Sequence, residues 1–171
     1  MIPQRIRVKL YAKDASETDS APFVALFHDF IRESCLPGLW IDVVDYGHVP
    51  RGPGALLIGH EADLSWDTLD GLPGLSFTRK RGEAKSLEAA LRHTLECALR
   101  AAAAVETRSR TRLSRTGIGV TCIDRLRVAH DEVRLAPLRA ALEAAAEHAL
   151  PGHGPVTIER GDPRACVSLR I

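Results

Sequence analysis

Arg5-Ile6-Arg7-Val8 and Arg125-Leu126-Arg127-Val128 open two stretches written to one plan. Ala21-Pro22, at the head of an apolar-periodic run, recurs as Ala136-Pro137. Pro22 stands 19 residues before Ile41-Asp42-Val43, and Pro137 stands 19 residues before Val156-Thr157-Ile158. Each stretch then turns through Pro and Gly (Pro50 to Pro53; Gly161-Asp162-Pro163) into a last apolar strand, Ala55 to Ile58 and Cys166 to Ile171. Like elements at fixed spacing predict a duplicated β-α-β-β unit. Strands in runs, with helices inserted and no regular βαβα alternation, predict the α+β class. The economical architecture is a two-layer sandwich: a largely antiparallel sheet with helices on one face. The other face is then solvated or covered by a second subunit.

Working outward, residues 4–12 alternate Ile6, Val8 and Leu10 against Arg5, Arg7 and Lys9, the period of a half-buried strand. Asp19 or Ser20 can cap a helix near 22–35 that Pro22 enters in its first turn. Phe23, Leu26, Phe27, Phe30 and Ile31 form its apolar stripe, and Pro37-Gly38 ends it. Strands are expected near 39–47, 55–62 and 74–79, with Ser65 to Leu69 as a capped helical turn. A long helix follows at about 84–106. The predicted organisation is residues 1–106, a solvated Arg-rich linker at 107–116, and the second unit at 117–171, all in one integrated domain. In that second unit, strands are expected at 117–128, 155–160 and 165–171 around a helix at 134–149.

Composition excludes several classes. Apolar residues make up 45% and charged residues 26% of 171, which fits an ordinary globular core and rules out wholesale disorder. A net charge of +1 creates no overall field for nucleic acid or membrane, and eight aromatics are too few for a base-stacking platform. No stretch has the roughly 20 apolar residues of a membrane span. Cys35, Cys97, Cys122 and Cys166 are widely spaced and follow an N-terminus without a signal-peptide apolar region, which predicts reduced, mostly buried thiols in a cytoplasmic protein. Arg79-Lys80-Arg81 and the arginines at 108, 110, 112 and 115 suit an anion as well as a solvated turn and linker.

Reactive side chains concentrate at 40–70, where both tryptophans, Tyr46, His48 and His60 fall among Asp42, Asp45, Glu61, Asp63, Asp67 and Asp70. A hairpin with His48 opposite Ala55 would put Ile41, Val43, Leu56 and Ile58 on the core face, with Asp45 and His60 as diagonal neighbours there. Trp40, Asp42, Tyr46, His48, Leu57, Glu61 and Asp63 would share the other face, Asp42 opposing Glu61. Two functions fit that placement. In the first, the chain is a non-catalytic binding or assembly module, with Trp40, Tyr46, His48 and Leu57 meeting a second copy or a protein partner. In the second, it is a small-molecule or metal-dependent enzyme, with Asp45 orienting His60 as base and Glu61 or Asp42 as acid or ligand. Any metal would fall to Asp42, Glu61, Asp63 and His48. No motif indicates a cofactor: P-loop, dinucleotide, nucleophile-elbow and His-Glu-x-x-His patterns are all missing. A deep pocket opening between the 40–63 hairpin and the helices would favour the small-molecule or metal-dependent enzyme, and a flat apolar face would favour assembly.

Overall fold

Strand alternation and helical stripes assemble here into one sheet with one layer of helices. A computed structural model describes residues 2–124, 132–159 and 166–171. Among them, the chain runs β1 (Ile6–Tyr11), α1 (Ala21–Arg32), β2 (Trp40–Tyr46), β3 (Gly54–Gly59), β4 (Ala62–Asp67), β5 (Gly74–Arg79), α2 (Leu87–Arg108), β6 (Gly119–Cys122), α3 (Glu132–Ala149), β7 (Thr157–Glu159) and β8 (Val167–Arg170). The strands form a single antiparallel sheet in the order β2-β3-β4-β5-β1-β6-β8-β7. The fold is an α+β two-layer sandwich.

Register decides which side chains meet the helices. Val8 pairs with Phe77 and Val120, Leu64 with Phe77 and Leu57, and Ala55 with Trp66, so one face carries a continuous apolar sheet surface. That surface joins Phe23, Phe27 and Phe30 of α1, Leu91, Leu95 and Ala98 of α2, and Leu138 and Leu142 of α3 in one core. Trp66 stacks on Phe23 with ring centroids 3.9 Å apart, and its Nε1 donates to the Glu17 carbonyl at 3.2 Å. The helix starts are fixed locally. Pro22 occupies the first turn of α1, where Asp19 accepts from the Ala21 N–H at 2.9 Å. Ser86 caps α2 by accepting from the Ala89 N–H at 3.0 Å.

From β4 across to β7 the uncovered sheet face is polar and cross-linked. Lys9, buried across it, donates to Asp67 at 2.9 Å, to Asp70 at 2.5 Å and to the Leu72 carbonyl at 2.8 Å. Tyr11 donates to Asp70 at 2.6 Å, Ser65 to Asp67 at 2.9 Å and Arg170 to Glu159 at 2.5 Å. Burial pushes the Tyr11 phenol up, and the bond to Asp70 pushes it further.

Four expectations change. Residues 62–67 are strand β4, not the approach to a helical turn at Ser65 to Leu69; Ala62, Leu64 and Trp66 alternate against Asp63, Ser65 and Asp67. The 107–116 segment is docked and not solvated: Thr111 and Leu113 are buried, and Arg115 pairs with Glu106 at 2.7 Å. Of the four thiols, all free, only Cys122 is fully buried. The duplication is not established. β1-α1-β2-β3 and β6-α3-β7-β8 share an element order, yet β8 pairs with β6 whereas β4 and β5 separate β3 from β1. The matched Arg125 to Val128 and Gly161 to Pro163 lie outside the described residues.

Candidate functional site

A one-residue β-bulge sets the site's geometry. β2 pairs with β3 as Asp45 to Ala55 and Val43 to Leu57, but Trp40 pairs with Gly59 and Asp42 with Ile58, leaving Ile41 as the extra residue. Trp40 therefore points to the helix side of the sheet, with its ring against Gly59. A Cβ on Gly59 would lie 2.9 Å from the indole and 2.6 Å from the Ala62 carbonyl, so only glycine fits beneath it. The His60 N–H closes this end by donating to the Leu39 carbonyl at 2.8 Å.

Here the helix layer leaves a seam. α1 covers β2 and β3, α2 covers β1 and β5, and between them opens a cleft of about 410 Å³. Its walls are Leu36 to Trp40 after α1, Gly59, Glu61 and Ala62 at the β3–β4 turn, Phe77 and Arg79 on β5, Arg81 to Glu83 beyond it, and His93, Cys97, Arg100 and Ala101 on α2. The floor is buried and mostly apolar, formed by Leu36, Gly59, Ala62, Phe77 and Ala101, with Arg79 among them at 5% exposure. The charged residues Glu61, Arg81, Glu83 and Arg100 are exposed and form a rim.

Arg79 reaches the core face because register places it opposite both Ile6 and Ala62. Its Nη2 donates to the Gly82 carbonyl at 2.5 Å, while Nη1 has no partner among the described residues. Trp40 Nε1 is likewise buried without one. On the α2 wall, His93 and Cys97 approach to 3.7 Å. Burial pushes the Cys97 thiol up, against the pull of Arg100, so at neutral pH this sulfur is a thiol and a poor nucleophile.

The register rearranges the predicted site residues. The aliphatic parity reverses: Val43 lies on the core face, while Leu56 and Ile58 lie on the open face with Val44. Leu57, expected on the exposed face, is fully buried in the core. Trp40 and Tyr46 end on opposite faces because the bulge lies between them. Asp45 and His60 do not meet. They flank opposite ends of β3, five residues or roughly 17 Å apart at ~3.4 Å per residue, and Asp45 instead accepts from the Gly47 N–H at 2.8 Å. Nor do Asp42 and Glu61 oppose each other: Asp42 faces Ile58, and Glu61 sits in the turn at the cleft rim. Asp63 pairs with Lys80 at 2.7 Å, and His48 is exposed in the β2–β3 turn. Among the described residues, no group of three or more His, Cys, Asp or Glu is placed to hold a metal ion. No helix among them is long and apolar enough to cross a membrane.

Compared with known proteins, the chain matches no family model, no curated protein and no solved structure. Function has to be read from the cleft's own chemistry. Of its residues, Trp40 and Glu61 were visible as site candidates in the sequence, and Arg79 and Arg81 as anion-binding material. His93, Cys97 and Arg100 were not, because on the sequence they are ordinary positions of a long amphipathic helix.

Proposed function

We propose that this protein is a binding module for a small organic ligand held in the cleft between the β2–β3 hairpin and α2. One observation carries this: the cleft opens where the hairpin meets the helices, with an apolar floor, a charged rim and the dimensions of a ligand site. At roughly 30 Å³ per water-sized group, about 410 Å³ accommodates on the order of a dozen such groups. Non-catalytic binding suits it better than enzymology, because Asp45 and His60 are far apart and Cys97 is held as a thiol. Four free cysteines support a reducing, cytoplasmic setting.

Assembly is a second reading, favoured by a different surface. Val44, Leu56 and Ile58 make a half-buried apolar patch on the sheet face that no helix covers, with Tyr46 beside it and His48 in the following turn. A second copy of the chain on this patch would bury it.

One experiment tests both. Ligand-observed NMR with a charge-balanced fragment library should find binders that compete with one another and are lost in Cys97→Phe, which fills the α2 wall while the melting temperature is retained. Fragments that bind equally well to Cys97→Phe, or a library with no binders, would remove the cleft reading. Sedimentation of the wild type and Val44→Lys should show a dimer only in the wild type if the sheet face assembles; a wild-type monomer at tens of micromolar removes that second reading.

A further inference from the structure

Three buried side-chain nitrogen or oxygen atoms among the described residues have no hydrogen-bond partner: Trp40 Nε1, Arg79 Nη1 and Ser76 Oγ. Ser76 lies on the other face of the sheet, but Trp40 and Arg79 line the same cleft. Indole and guanidinium nitrogens can only donate. A buried donor without an acceptor is costly, and a buried unpaired cation more so. Neither is relieved among the described residues. Glu61 and Glu83 sit on the rim, yet neither reaches Arg79 within ion-pair distance.

The guanidinium is nevertheless held in place. Gly82 adopts a φ of 119°, a conformation glycine tolerates, and its carbonyl fixes Nη2 at 2.5 Å. The loop thus restrains one end of the fork and leaves the other for something else. Around the cleft, Arg79, Arg81 and Arg100 against Glu61 and Glu83 leave one net positive charge. That suits a monoanion, where a phosphate dianion would be left undercompensated. The remaining floor is apolar.

We propose that the ligand is a compact organic monocarboxylate, its two oxygens accepting from Arg79 Nη1 and Trp40 Nε1 and its apolar body lying against Leu36, Leu39 and Phe77. This rests on the cleft being a small-molecule site, and goes beyond it by fixing the chemical class of the ligand.

Isothermal titration of the full chain with hexanoate, hexanamide, hexylamine and inorganic phosphate tests it. Hexanoate should bind about tenfold or more tighter than hexanamide, since a hydrogen bond to a charged group is worth that much. Hexylamine and phosphate should be weaker still. Arg79→Met should erase the preference for the acid over the amide. Trp40→Phe, which keeps an aromatic ring on Gly59 and removes the N–H, should weaken hexanoate severalfold, and it carries the test if Arg79→Met does not fold. Hexanamide or hexylamine binding as tightly as hexanoate, with both lost in Cys97→Phe, would leave a small-molecule cleft and overturn the anionic anchor. Phosphate competing as strongly as hexanoate would overturn the carboxylate. A preference for hexanoate that survives Arg79→Met and Trp40→Phe would place the anchor elsewhere and overturn the proposal.

Discussion

Lys9 on β1 and Arg79 on β5 are each 5% exposed, on neighbouring strands and opposite faces of the sheet. Lys9 meets three acceptors at hydrogen-bond distance, two of them carboxylates. Arg79 meets one carbonyl and keeps Nη1 unpaired. The two tryptophans divide in the same way: Trp66 donates to a backbone carbonyl, and Trp40 finds no acceptor among the described residues. Apart from Ser76 Oγ, the buried side-chain donors on the Lys9 face find acceptors, whereas the two open donors on the helix face line one cleft, which separates scaffold from site. Burial alone does not distinguish the two cations; the inventory of acceptors does.

The largest effect should come from breaking the closed side. Asp67→Ala removes a carboxylate whose side chain is 1% exposed and leaves Lys9 short of a partner, at an expected cost of about 3–5 kcal/mol in urea unfolding. A loss below about 1 kcal/mol would mean that Asp70 and Leu72 compensate the cation alone.

Next comes Tyr11. Its phenol is raised, so its stabilising contribution is complete below about pH 10, the unfolded value, and drains away as pH climbs towards the higher folded value. Asp70 has the opposite sign. Burial opposes its charge, but hydrogen bonds from Lys9 and Tyr11 prevail and hold its carboxyl below the usual range. Its contribution is therefore complete above about pH 4 and lost as pH falls through the depressed folded value. Tyr11→Phe should cost about 1 kcal/mol at neutral pH and flatten the alkaline limb of a stability profile measured by thermal melting. An unchanged alkaline limb would assign that limb to another group.

Arg79→Met should give the smallest change, within about 1 kcal/mol of wild type without ligand, because an unpaired buried guanidinium contributes little to the fold. If it costs as much as Asp67→Ala, the contrast between the two cations fails and Arg79 belongs to the scaffold.

Much of the architecture was legible in the chain. Alternation at Ile6, Val8 and Leu10 and the turns around 70–74 place β1 and β5 within two residues of their observed ends, and the stripe from Phe23 to Ile31 places α1 within three. β4 was equally legible, since Ala62, Leu64 and Trp66 alternate perfectly, but the carboxylates between them pull the eye towards a cap. Acidic residues on the uncovered face of a strand look like loop residues until their partner, Lys9, is known to be 58 positions away. The site was half legible. Its segment was found, yet the facing was inverted: Asp45 and not His48 opposes Ala55, an odd shift in register that turns Leu57 inward, and the bulge at Ile41 turns Trp40 inward without leaving a mark in composition. Trp40 looked like an interface anchor because of the bulge, and Leu57 like an exposed one because of the register. Arg79 read as a solvated turn because nothing local reveals that its strand sits on the core face at that position. The recurrence of Arg5 to Val8 at 125–128 suggested a duplication that the strand order among the described residues does not establish.

Ile41 illustrates a kind of position that substitution scans misjudge. Its side chain is 58% exposed and most replacements there should pass unnoticed. Its peptide unit is another matter: the extra residue lets Trp40 and Val43 both face the helices although they are an odd number of positions apart. Were β2 paired regularly at its present length, the indole would turn to the far side of the sheet and take one of the cleft's two open donors with it. Deleting Ile41 should instead remove the bulge and keep Trp40 on the helix side, two positions before Val43. At this position the count of residues carries the information and the letter does not, so length variants, rather than point mutants, would reveal how the cleft is built.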